Sequence, residues 1–492
     1  MSSHEPETYL SLEKKPKAVT KEGPRISLEK KRQDTNTDID DPVLPLTSVD
    51  TAHLPKSFQP PLSEGPDALE FLKDIREASD HGKLTSTYID HDIPYYCGAF
   101  FKSGGERLHA LYEFPYRAAF PPFLPAFFIN ALSCEGDIVH DPFGGSGTVA
   151  IEAARTGRIA YSSDINPLAK MITVPRIGPE VTLEAVDHAL ATVDWENGEA
   201  APLDLSDAFF HPQTAFKLQI LRRWLEQNIP GGDSEADPIA AWIFMVVLAR
   251  LTGHSQGYMS GYTLPPNQAT TVARQRRINA KRGETPPEKD VRSIILKKTA
   301  SLLRNGMPPF NSNHRVEVGP ASDTPWIESE SVSLVVTSPP FSTVVDYGFE
   351  HWLRFKFAGI EKDSIAFSHI ASLADWTAMI RETLVELMRV VKPGGYIAME
   401  VGEIRRGTVK LERLVWQAAE GLPCRRLGVI VHDAKFTKSS HIYNVTNGVR
   451  GTNTNRIVLL QREESRAWQH GGRTSSPFTC STGAACGCAV AI

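Results

Sequence analysis

Two short stretches concentrate residue types that chemistry needs and a core does not. In the first, the apolar run Asp137-Ile-Val-His-Asp141 passes into Pro142-Phe143-Gly144-Gly145-Ser146-Gly147-Thr148, and the helical pattern TVAIEAARTG follows. Glycines at the carboxyl end of a strand let the backbone turn tightly and approach a ligand, and the helix start beyond offers free N–H groups. Asp164 closes the next apolar run, 23 residues after Asp141, where its carboxylate can accept both hydroxyls of a ribose. A nucleoside cofactor fits this spacing. A phosphate-cradling loop does not, because no Lys follows Gly147. A dinucleotide remains in competition, since Gly145-x-Gly147-x-x-Ala150 matches that loose fingerprint, as does an ordinary strand-to-helix turn. In the second stretch, Val332-Ser-Leu-Val-Val336 leads into Thr337-Ser338-Pro339-Pro340-Phe341. Prolines lack an N–H and have a fixed φ, so this turn presents oxygens without competing donors. The Ser338 side chain and the Pro339 carbonyl can bind the hydrogens of an amine, and Phe341 offers a face for a flat ring. A bland proline turn ending a strand is the alternative.

Taken with the strand-end acid, the first stretch resembles the D-P-F-x-G-S-G-T motif of amino-group nucleic-acid methyltransferases, and Ser338-Pro339-Pro340-Phe341 resembles their second motif. The resemblance covers roughly 105 to 175 and 313 to 462, and it extends to Arg389-Val-Val-Lys-Pro-Gly-Gly395 and Asn455-Arg456-Ile-Val-Leu. It implies S-adenosylmethionine as cofactor, held by Asp141, Pro142, Phe143, Gly145, Gly147, Thr148 and Asp164. Phe114-Pro-Tyr-Arg-Ala-Ala-Phe120 is similar to the motif that closes over the cofactor, which adds Tyr116 and, more loosely, Phe120. Asp323 is a further candidate for the cofactor's adenine. Catalysis would rest on Ser338, Pro339, Pro340 and Phe341 through positioning and oriented dipoles around an extruded base, with no metal and no covalent intermediate.

Within that family a serine first in the second motif is associated mainly with cytosine N4, and Asp or Asn with adenine N6, so Ser338 implies cytosine. Adenine N6 in DNA, a base in RNA, and a regulator that keeps the fold without turnover remain alternatives. Gly144 stands where the family often has a larger residue, a change expected to be tolerated in a loop. The resemblance also implies that the long insertion between the motifs recognises the target. Within it Arg274, Arg276, Arg277, Lys281 and Arg282 place five basic residues in nine, suited to phosphate contact, with a solvated helix face as the alternative. Arg405, Arg406 and Lys435 to Lys438 are expected on loops that extend this surface. DNA, double-stranded, is the expected partner.

Positioning these residues requires an open α/β sheet. Apolar runs at 137–141, 159–164, 316–319, 332–338, 395–401, 428–433 and 456–461 alternate with helical patterns, which predicts a doubly wound, Rossmann-like sheet of seven strands. The family's version has its last strand antiparallel. Residues 1–66 are expected to form a disordered arm, 67–200 the cofactor-binding half, 201–312 a mainly helical insertion, 313–462 the catalytic half, and 463–492, with Cys480, Cys486 and Cys488, a flexible tail.

Composition sets the limits. A hydrophobic fraction of 41% and a charged fraction of 23% are those of an ordinary globular protein and exclude collagen-like or wholly disordered chains. The net charge of -5 excludes a globally basic nucleic-acid packing protein but not a local basic patch. The longest apolar run, Pro238 to Leu251, is too short to cross a bilayer and reads as a buried helix. Without an apolar leader at the N-terminus, and with six cysteines of which Cys97, Cys134 and Cys424 are widely scattered, a cytoplasmic location with reduced thiols is expected.

Overall fold

In the computed structural model the described residues are 83–100, 108–117, 119–229, 237–340, 346–365, 372–404, 409–432 and 455–464. All lie in one structural unit, Glu64–Ile492. The arm at 1–66, the tail beyond 464, Phe341, Arg405, Arg406, Lys435 to Lys438 and the three tail cysteines fall outside the described residues.

In chain order the elements are β1 (Lys83–Asp90), β2 (Ile93–Ala99), α1 (Phe123–Leu132), β3 (Ile138–Asp141), α2 (Thr148–Arg155), β4 (Ile159–Asp164), α3 (Pro167–Ile177) and α4 (Leu183–Ala191). Four helices follow: α5 (Pro212–Asn228), α6 (Pro238–Arg250), α7 (Val272–Arg282) and α8 (Val291–Leu302). The chain returns to the sheet with β5 (Arg315–Val318) and β6 (Val332–Thr337), then forms α9 (Tyr347–Glu350), α10 (Trp352–Ala358) and α11 (Leu373–Val390). It ends with β7 (Val391–Val401), the small pair β8 (Glu403–Ile404) and β9 (Val409–Lys410), α12 (Leu411–Ala418), β10 (Cys424–His432) and β11 (Asn455–Arg462).

Among the described residues nine strands, not the expected seven, form the main sheet in the order β1-β2-β10-β11-β7-β6-β3-β4-β5. All seven apolar runs enter it. The two additional strands are the hairpin β1–β2, which turns through His91 at φ 61° and pairs β2 parallel to β10. β2 buries Tyr95 and Tyr96, while Tyr88 and Ile89 on the edge strand β1 stay exposed. That half-wet edge is why its residues lack the continuous apolar signature of a central strand. β11 is antiparallel to both neighbours, and β7, β6, β3, β4 and β5 are mutually parallel. β7 begins at Val391 rather than 395, because Lys392-Pro393-Gly394-Gly395 is absorbed as a register shift between Val332↔Val391 and Leu334↔Tyr396, with Gly394 at φ 80°.

The sheet is covered on both faces. One core cluster packs α1, α2 and α3 together with buried side chains of α5, α6 and α8, among them Leu221, Trp242 and Ile295. The helices between β4 and β5 therefore share the sheet's core. The second cluster sets Trp376, Ile380, Leu384 and Leu387 of α11 and Val415 and Trp416 of α12 against the opposite face. The run Pro238–Leu251 forms α6, whose residues 240 to 249 are all buried, with the Asp237 carboxylate capping the N–H groups of Ile239 and Ala240. Among the described residues no helix is long and apolar enough to cross a membrane.

Candidate active site

Parallel pairing brings the carboxyl ends of β3, β4 and β6 to one edge. Asp141 lies opposite Ser162 on β4, and His140 opposite Val335 on β6. The last side chains of β3 and β6 consequently meet: the Thr337 hydroxyl donates to Asp141 Oδ1 at 2.7 Å, and the Phe143 N–H donates to the same carboxylate at 3.1 Å. Asp141 is 3% exposed. Burial pushes its carboxyl up to about 7, against the pull of these two hydrogen bonds.

The glycine loop then crosses toward β4. Gly145 at φ 47° aims its N–H at Asp164 Oδ2, 2.8 Å away, and the Asn166 N–H donates to Oδ1 at 2.8 Å. Burial raises the Asp164 carboxyl, while both N–H groups oppose the rise. A carboxylate offers about four acceptor sites, so two remain for further donors. Gly147, at φ 76°, caps α2, and a Cβ there would lie 2.3 Å from Thr173 Oγ1. Gly144 is also constrained: a Cβ on it would lie 2.2 Å from Ser162 Oγ. A larger side chain at that position would meet a filled space here, which the glycine leaves undisturbed.

Tyr116 closes one side. It is buried, its hydroxyl accepts from Asn166 Nδ2 at 3.4 Å, and a Cβ on Gly145 would lie 3.6 Å from its ring. Burial holds its phenol well above the ordinary value. The ring packs 4.6 Å from the His351 imidazole. His351 is in turn held by Arg354, whose guanidinium donates to the carbonyls of Pro115, Pro266 and Leu248. Arg117, next in the chain, pairs with Glu350, which also accepts the Ala269 N–H just before α7.

At the end of β6, Thr337 pairs with Met399, which sets Ser338 beside Glu400. The Ser338 hydroxyl donates to Glu400 Oε2 at 2.6 Å, and Asn455 Nδ2 donates to Oε1 at 3.1 Å. Burial raises the Glu400 carboxyl, opposed by these bonds. With its proton committed to Glu400, Ser338 keeps its oxygen lone pairs for another donor. The Pro340 carbonyl accepts from the Trp376 indole at 2.8 Å.

One cavity of about 910 Å³ joins both stretches. Tyr116, Phe120, Asp141, Pro142, Phe143, Gly145, Thr148, Asp164, Ser338 and Pro340 line it. Gly147 and Pro339 adjoin lining residues in the chain without being lining residues themselves, and Phe341 is outside the described residues. Where Asp323 was expected, Ala321 and Ser322 form the wall. Glu400, Thr337, Asn166 and Trp376 were not singled out from sequence. Glu400 had a readable signal, an acid inside the buried apolar run Tyr396–Val401; Thr337 and Asn166 are polar residues at element ends, and Trp376 is a core aromatic in the first turns of α11, whose partners only the tertiary packing supplies.

The basic cluster lies on α7, apart from the cavity lining. Its inner face carries Gln275, buried and bonded to Asn279 and to the Tyr262 carbonyl. Arg277 and Lys281 project away from that face, Arg274 and Arg276 flank Gln275 on either side, and all four are exposed. Arg276 pairs with Asp207, and Arg282 pairs with Glu284 while stacking 3.7 Å above the Tyr262 ring.

These acids, the glycine loop and the proline turn invite comparison with known proteins. Residues 7–174 match the DNA methylase family. The match, about a third of the chain, contains Asp141 to Thr148 and Asp164 and ends before Ser338. This amino-group methyltransferase family uses S-adenosylmethionine. The cavity suits that group: the unspent acceptor sites of Asp164 match ribose hydroxyls, Asp141 brings a carboxyl whose ionisation a sulfonium cation would favour, and the glycines keep side chains out of the approach. No curated relative matches the chain. Solved structures similar to parts of it include TrmN from Thermus thermophilus, at 13% identity over 70% of this chain and 50% of that one, with a TM-score of 0.28. A putative DNA modification methylase from Thermus thermophilus, complexed with S-adenosyl-L-methionine, shows 20% identity over 30% of this chain and 53% of that one, TM-score 0.19. A 16S rRNA (adenine(1408)-N(1))-methyltransferase from Catenulisporales acidiphilia shows 17% over 34% and 71%, TM-score 0.20. The chain spans about half the length of the first two. Likeness this slight decides neither fold nor substrate.

Proposed function

We propose that the protein is an S-adenosylmethionine-dependent methyltransferase acting on the exocyclic amine of a nucleic-acid base, with cytosine N4 in DNA the favoured acceptor. The observation that carries this reading is the Ser338–Glu400 hydrogen bond at the wall of the cavity that also holds Asp141, Asp164 and the glycine loop. When bound, the cofactor supplies an electrophilic methyl group. Asp164 would hold its ribose, Phe143 and Tyr116 would flank it, Gly145, Gly147 and Thr148 would admit its amino-acid end, and Asp141 would stabilise its positive charge.

An exocyclic amine is a weak nucleophile because its lone pair is delocalised into the ring. Ser338 Oγ, whose hydroxyl hydrogen is donated in a hydrogen bond to Glu400, and the Pro339 carbonyl would accept the amine's hydrogens and direct the lone pair toward the methyl. After transfer the nitrogen carries an extra proton. Burial makes Glu400 a stronger base than a solvent-exposed carboxylate, so it can take that proton through the Ser338 hydroxyl, which loses one proton to Glu400 as it gains one from the amine. Arg274, Arg277 and Lys281 on α7 are the side chains offered for phosphates, and the helical region 201–312 for target recognition.

The test is incubation of the protein with methyl-labelled S-adenosylmethionine and unmethylated DNA, followed by nucleoside analysis. N4-methylcytosine is the expected product. N6-methyladenine would overturn the base assignment drawn from Ser338, label in RNA alone would overturn the polymer, and cofactor binding without transfer to either would favour the silent regulator.

A further inference from the structure

We propose that Trp376 is a positioning residue for methyl transfer, its indole N–H fixing the proline turn on which the acceptor amine docks. The inference rests on the function proposed above. The turn has an unusual anchoring problem. Pro339 and Pro340 bring no N–H, so two successive residues have no backbone donor with which to fasten themselves to the sheet. Their place has to be set by groups that donate to their oxygens or hold the residues beside them.

Two such fastenings are present among the described residues. Ser338 is tied to Glu400 on β7, and the Pro340 carbonyl accepts from Trp376 Nε1 at 2.8 Å. Pro339, whose carbonyl is one of the two acceptors for the amine, lies between these fixed points. Trp376 is itself immobilised. It follows a capping box in which the Ser372 hydroxyl accepts the Asp375 N–H and the Asp375 carboxylate accepts the Ser372 N–H. Its side chain is 0% exposed, packed with Ile380 and Leu384 on the sheet. A buried Trp requires a partner for its N–H, and here that requirement is met by a carbonyl of the candidate active site. The ring is therefore both core and clamp, and only the clamp depends on the nitrogen.

The experiment separates the two. Trp376→Phe, and a variant with 3-benzothienylalanine at 376, which keeps the bicyclic shape and replaces N–H by sulfur, are compared with the unaltered protein for melting temperature, S-adenosylmethionine affinity, and kcat and KM for DNA. Trp416→Phe serves as control, since that indole donates to Asp92 on the far hairpin turn. The expected result is a fall in kcat of about tenfold or more in the benzothienyl variant, with cofactor affinity and melting temperature held and no fall in kcat for Trp416→Phe. Unchanged kcat in the benzothienyl variant would overturn the inference, and so would losses of kcat, cofactor affinity and melting temperature together, which mark a structural role. Absence of transfer by the unaltered protein would overturn the proposed function itself.

Discussion

Asp141 shows how one buried acid ties two strand ends together at the wall of the cavity. Its carboxyl rises from the ordinary 3.8 to about 7 because burial disfavours the charge. A raised folded-state value means the native protein binds a proton that the unfolded chain releases, so this group's contribution to stability falls as pH rises between about 4 and 7. Asp141→Asn is therefore expected to gain melting temperature relative to the unaltered cofactor-free protein as pH rises, the difference growing through that window and levelling above it. A difference independent of pH would contradict the assignment. Gly144 is the second case at this scale. Gly144→Ala must displace the buried Ser162 hydroxyl, costing about 1 to 3 kcal/mol, whereas Gly144→Ala combined with Ser162→Ala is expected to recover most of that loss. Additive losses in chemical denaturation would mean that the conflict lies elsewhere.

Elements place these residues, and much of that placement was legible in the sequence. The strand ends carrying Asp141, Asp164 and Ser338 follow from apolar runs that stop at polar residues, and parallel order puts such ends at one edge. The hairpin β1–β2 was not legible, because an edge strand wet on one face mixes polar and aromatic residues. Nor was the Ser338–Glu400 pair, which depends on the register of β6 against β7, shifted at Lys392-Pro393-Gly394-Gly395. The helix α7 is a further case: five basic residues in a row of nine look equivalent as a sequence, yet its buried Gln275 divides them by direction. Arg277→Glu with Lys281→Glu is expected to weaken DNA binding and make its salt dependence shallower, by about two in the slope of log K against log salt, while Arg276→Ala has a smaller effect. Equal effects of the two would place the phosphates elsewhere or show α7 to be a solvated face.

At the scale of the whole molecule, the helices between the two motifs share the sheet's core, so the basic helix and the cavity belong to one packed body. Arg354 binds carbonyls from α6, from the loop before α7 and from the Tyr116 segment, and Glu350 joins Arg117 to the same loop. The backbone leading into α7 and the backbone around Tyr116 are thus joined through Arg354 and Glu350. The central claim is that cofactor and base amine meet where the glycine loop faces Ser338. Its most direct test is Ser338→Ala, measured at once for S-adenosylmethionine binding and for methyl transfer to DNA. The account predicts cofactor affinity within about twofold of the unaltered protein and transfer reduced by about a hundredfold or more. Transfer at an undiminished rate would contradict it.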